Sequence, residues 1–68
     1  MNQIDHRILM LLANAERPYS AAEIMRGINR TGWPLPLEPI AAALDALWRA
    51  GRVLRDGERY FVFGLRAV

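Results

Sequence analysis

The chain has no cysteine and no lysine, and only one histidine (His6), one serine (Ser20) and one threonine (Thr31). Without cysteine no disulfide can form, and a single histidine cannot supply a His/Cys zinc set. A 68-residue chain buries only about 60% of the surface its unfolded form exposes. Domains of this size commonly lean on disulfides, metals or a partner subunit. With the first two excluded, a well-packed core or self-association must serve. The shortage of hydroxyl and imidazole groups also leaves no material for a nucleophile, base and orienter, and no Gly-rich phosphate loop is present. The chain therefore reads as a non-enzyme with no cofactor, no catalytic residue and no metal site. No apolar run approaches the ~20 residues that cross a bilayer. The run ILMLLA, residues 8–13, follows Asp5, His6 and Arg7 and has no cleavage pattern after it, so the expectation is a cytoplasmic protein without a membrane partner.

What is present suits a packed globule. Hydrophobic residues make up 53% of the chain, too many for disorder, and no linker, repeat or low-complexity segment divides residues 1–68. We read one domain. Nine arginines face seven carboxylates, for a net charge of +2. That balance permits nucleic-acid binding without demanding it.

Residues 2–15 carry a helical pattern, with Asn2 and Asp5 at capping spacing and Ile4, Ile8, Leu11, Leu12 and Ala15 on one face. Met10 points nearly opposite to Ile8, either as a tolerated exposed residue or as part of a second surface. Pro18 disfavours helix at Arg17. The segment SAAE, residues 20–23, then has the S-x-x-E form of a capping box. A second helix follows to about Arg30, with Ala21, Ile24, Met25 and Ile28 inward and Glu23, Arg26 and Arg30 outward. The link from Thr31 to Pro36 stops it. A third helix begins between Pro36 and Pro39, with Pro39 favoured as the first helical residue because Glu38 before it is pushed from helical angles. It runs to about Ala50 with Ile40, Leu44 and Leu47 inward, Trp48 at the edge, and Gly51 as its stop. Asp56–Gly57 then reads as a type I′ hairpin turn. That turn pairs Arg55 with Glu58, Leu54 with Arg59 and Val53 with Tyr60. Val53, Tyr60 and Val62 share one face, and Leu54, Phe61 and Phe63 the other.

Three helices followed by a hairpin, an α+β and mainly α layout, resembles the winged helix-turn-helix superfamily of DNA-binding domains, in particular small bacterial or mobile-element regulators. The residues that carry the resemblance are IAAALDALWRAGRVLRDGERYFV, residues 40–62, similar to a recognition helix, its closing glycine and two wing strands. PYSAAEI, residues 18–24, resembles the short strand leading into helix 2.

The resemblance implies a transcription-regulator-like module that binds double-stranded DNA, working as a homodimer, with the third helix in the major groove and the hairpin on the backbone. The candidate DNA contacts are Arg26, Arg30, Arg49, Arg52, Arg55 and Arg59, with Ala42 and Asp45 at the base-reading positions. The outward face of the third helix carries Glu38, Ala42, Asp45, Ala46 and Arg49, a net charge of −1, where readers of guanine and adenine use Arg, Lys, Asn or Gln. The alternative the same fold allows is a protein-interaction module without sequence-specific DNA binding, anchored on Leu54, Phe61, Phe63, Trp33 and Met10.

Overall fold

The computed structural model of the chain describes residues 3–32 and 34–62. Trp33, Phe63 and the expected cap Asn2 lie outside them. The first apolar stripe forms α1, Gln3–Ala13. Ile8 and Leu12 are fully buried on it, and Ile4 and Leu11 pack against the same core. Ala15 is buried as its spacing predicts, although α1 has ended by then: the Asn14 side-chain amide donates to the Met10 carbonyl at 2.9 Å and closes the last turn.

Tyr19–Ser20 forms a short strand, β1, and passes directly into α2, Ala21–Asn29. The capping box is complete. Ser20 Oγ accepts from the Glu23 amide at 3.2 Å, and Glu23 Oε1 accepts from the Ser20 amide at 2.9 Å. Ile24 and Ile28 are buried, and Ala21 and Met25 pack beside them. At the other end Thr31 Oγ1 donates to the Ile28 carbonyl at 2.6 Å. Arg7 of α1 reaches across to donate to Thr31 Oγ1 at 2.7 Å and to the Ile28 carbonyl at 3.3 Å, placing a cation at the negative end of α2.

The third helix, α3, spans Leu37–Arg49 with Pro36 as its N-cap. It begins two residues before the expected Pro39. Pro39 is tolerated as the third helical residue because amides of the first turn have no intrahelical acceptor, and the carbonyl its ring would strike belongs to Leu35, outside the helix. The preference of Glu38 for extended angles is overridden by the burial of Ile40 two residues on. The C-terminus of α3 is a Schellman motif: Gly51 sits at φ +76°, its amide bonds to the Trp48 carbonyl at 3.0 Å, and the Arg52 amide bonds to the Leu47 carbonyl at 2.9 Å.

The hairpin is β2, Leu54–Asp56, and β3, Arg59–Phe61. Its register differs from the expected one. Leu54 pairs with Phe61, Arg55 with Tyr60 and Asp56 with Arg59, so the turn residues are Gly57 and Glu58. A type I′ turn on Asp56–Gly57 needs positive φ at both central residues, and only Gly57, at +64°, has it. Glycine at the first central position is the type II′ signature. The expected Arg55–Glu58 cross-strand pair is therefore not made. Partners move by two residues, which preserves the faces: Val53 is buried and Tyr60 and Val62 pack on the core, while Leu54 is exposed and Phe61 is half-buried without joining that core.

β1 pairs with β3 through Tyr19–Tyr60 and Ser20–Arg59, giving an antiparallel sheet in the order β1-β3-β2. The chain is α+β, mainly α, in a winged-helix-like layout. Its core joins Ile8 and Leu12, Ile24 and Ile28, Ile40, Leu44 and Leu47, and Val53, so every helix and the hairpin contribute to one cluster. No polar side chain is buried among the described residues. No helix among them is long and apolar enough to cross a membrane.

Candidate nucleic-acid interface

The sequence pooled the arginines of α2, α3 and the hairpin into one DNA footprint. The fold separates them into two groups. On α3, Glu38, Ala42, Ala46 and Arg49 are exposed and Asp45 is half-buried. Arg49 Nε bonds Asp45 Oδ2 at 3.0 Å, one helical turn apart. This pair is open to solvent and worth about 0–1 kcal/mol, so it restrains Arg49 only lightly. Arg55 lies over the Trp48 ring, 3.8 Å from its centroid, a cation–π contact that ties the hairpin to the end of α3. Arg52 is exposed and has no side-chain partner among the described residues. Together α3 and the hairpin turn set Arg49, Arg52 and Arg55 against Glu38, Asp45, Asp56 and Glu58, a net charge of −1.

Arg59 belongs elsewhere. Its guanidinium donates to Glu23 Oε1 at 2.9 Å and to the Pro18 carbonyl at 3.4 Å. Arg17 binds the other side of the same carboxylate, donating to Glu23 Oε2 at 3.0 Å, and its guanidinium lies 4.5 Å from the Tyr19 ring centroid. The Arg17 hydrogen bond, the Ser20 amide and the nearby positive charges hold the Glu23 carboxyl down at about 2, against a smaller opposing effect of burial. The same Arg17–Glu23 hydrogen bond raises the Arg17 guanidinium. Arg26 and Arg30, both exposed, border a cleft of about 400 Å³ with Arg17, Glu23, Leu11 and Gly27. No α3 or hairpin residue lines that cleft.

The surplus positive charge thus gathers on the α2 and β1 side. Arg17, Arg26, Arg30 and Arg59 stand there with Glu16 and Glu23, a net of +2, whereas the rest of the chain has five arginines and five carboxylates. Sequence reasoning missed Arg17, which stands in the link before SAAE; its position three residues ahead of the capping serine was the available signal. It also assigned Arg59 to the hairpin alone, because the partner Glu23 is 36 residues away in the chain.

The apolar candidates also divide. Leu54 is 37% exposed and Met10 52%, but Met10 lies on a groove between α1 and α2 of about 430 Å³, with Leu11, Tyr19 and Ile28, remote in sequence and element from the hairpin's outer face. Two exposed apolar residues were not singled out as interface candidates: Leu37 at 42% and Trp48 at 39%. They are eleven residues apart on α3, three helical turns, and share one flank of it.

No protein-family model, curated protein or solved structure matches the chain.

Proposed function

We propose that the chain is a small winged-helix DNA-binding domain, a transcription-regulator-like module that grips duplex DNA mainly through phosphates. The observation that supports this reading is the concentration of charge: the whole net charge of +2 gathers on the side that carries Arg17, Arg26, Arg30 and Arg59. Guanidiniums suit phosphate oxygens by bidentate geometry, and such contacts set affinity and register without reading sequence. The outer face of α3, with Ala42 and Ala46 beside Glu38 and Asp45, offers little to base edges, so sequence preference is weak. Two copies on a two-fold site would double the contact set.

A fluorescence-anisotropy titration of a generic duplex tests the reading. Four phosphate contacts predict that affinity falls about a hundredfold between about 50 mM and about 200 mM salt. Absence of binding at about 50 mM salt would overturn it.

That negative result would favour a second reading, a protein-interaction module. Its support is the exposed apolar set Leu37, Trp48 and Leu54 beside the alanines of α3, since exposed aromatic and aliphatic groups are enriched at the centres of protein interfaces.

A further inference from the structure

The geometry points to an oxyanion-binding cleft between α1, β1 and α2, in which Arg17, Arg26 and Arg30 hold a phosphoryl group. It deepens the DNA reading, since it uses guanidiniums from the same positive side, and it places a discrete site where the sequence suggested only a charged helix face.

Glu23, the one carboxylate at the cleft, is already saturated. Oε1 accepts from the Ser20 amide at 2.9 Å and from Arg59 at 2.9 Å, and Oε2 accepts from Arg17 at 3.0 Å. Arg26 and Arg30 therefore have no anion within the described residues, although they stand at i and i+4, where like charges repel across one helical turn. The α2 dipole favours cations near that helix end and accounts for these two. It does not account for Arg17, which the link before β1 brings to the same cleft from outside the helix. Gly27 lies between the two arginines, and a Cβ there would come within 2.8 Å of Leu11 Cδ1, so glycine lets α1 and α2 approach closely beside the cleft. The volume, about 400 Å³, falls in the ~300–1,000 Å³ range of small-ligand clefts. Arg26 and Arg30 border this open volume beside Arg17, whose Nη atoms donate to Glu23 and to the Pro18 carbonyl. Guanidiniums so placed match a phosphate mono- or diester, whose oxygens accept from the planar fork. The phosphoryl group can come from the nucleic-acid backbone or from a free phosphorylated small molecule.

The test is a ¹H–¹⁵N NMR titration of the full chain with inorganic pyrophosphate at fixed ionic strength. We expect saturable shifts of the Leu11, Arg26, Gly27 and Arg30 amides. Affinity should fall at least tenfold in Arg26→Ala/Arg30→Ala and severalfold in the single variant Arg30→Gln, with dispersed spectra certifying the fold of each. Shifts that never saturate and spread over all arginines, or an affinity unchanged in both variants, overturn the site. A generic duplex added to the pyrophosphate complex identifies the source. Displacement at these amides assigns the phosphoryl group to nucleic acid; pyrophosphate retained at the cleft assigns it to a free phosphorylated molecule, and both results uphold the site. Duplex binding with no pyrophosphate response sinks the cleft while leaving the DNA reading intact.

Discussion

Glu23 carries three roles on one carboxylate. It closes the capping box of α2, it ties down Arg17, and it reaches Arg59 of β3. The first role was legible in SAAE, because a serine followed three residues later by glutamate meets its partner within a single helical turn. The second is local too, since Arg17 is six residues from Glu23, but the third required the strand pairing of Ser20 with Arg59, which no local pattern encodes. The consequence is a pH dependence of known sign. The Glu23 carboxyl is lowered from about 4.5 to about 2 in the folded chain. A depressed carboxyl stabilises the fold fully above its unfolded value and loses that contribution as pH falls through the folded value. The thermal midpoint should therefore decline as pH drops from about 5 towards 2, and Glu23→Gln, which keeps size and removes charge, should flatten the decline. Melting curves of the two proteins across that range check this, and parallel curves would dismiss Glu23 as the source.

At the scale of elements, the ends of helices decide where the hairpin stands. Gly51 was readable as the stop of α3, and the reason is conformational: its φ of +76° is costly for any residue with a Cβ. Nothing lies within 4 Å of a Cβ built there, so a substitution tests the backbone alone. Gly51→Ala should destabilise by about 1–2 kcal/mol, seen in urea unfolding as a lower midpoint with an unchanged slope. A variant as stable as the parent would show that the Schellman turn contributes nothing. Two other element features were misread for physical reasons. Pro36 and Pro39 both fit the first turn of a helix, where missing amides cost little, so proline could not discriminate between starts. In the hairpin, Asp56–Gly57 and Gly57–Glu58 are both plausible two-residue turns. The choice fell to the one that demands a left-handed conformation from glycine only. The faces survived because the change in pairing was even.

For the whole molecule the decisive quantity is one small core shared by all elements. Ile8, Leu12, Ile24, Ile28, Ile40, Leu44 and Val53 have at most 2% exposure, and domains of this length have about 3–10 kcal/mol to lose. Leu44→Ala, at the centre of α3, should cost about 2–5 kcal/mol, a large share of that stability, and lower the thermal midpoint accordingly. Circular dichroism of the variant checks this; a cooperative native transition close to that of the parent would mean the core collapses around the gap. The same compactness divides the charges: α2 turns Arg26 and Arg30 towards Arg17, while the hairpin turns Arg55 onto Trp48. By itself the sequence determined the three helices, the capping box, the stop at Gly51, the hairpin faces and the core residues, because each follows from local spacing or from the conformational limits of one residue. Only the tertiary structure decided the start of α3, the strand register, the capture of Arg59 by Glu23 and the placing of Arg17, Arg26 and Arg30 on one cleft. Those depend on residues far apart in the chain meeting at fixed distances, and a side chain's partner is set by the packing of the backbone beneath it.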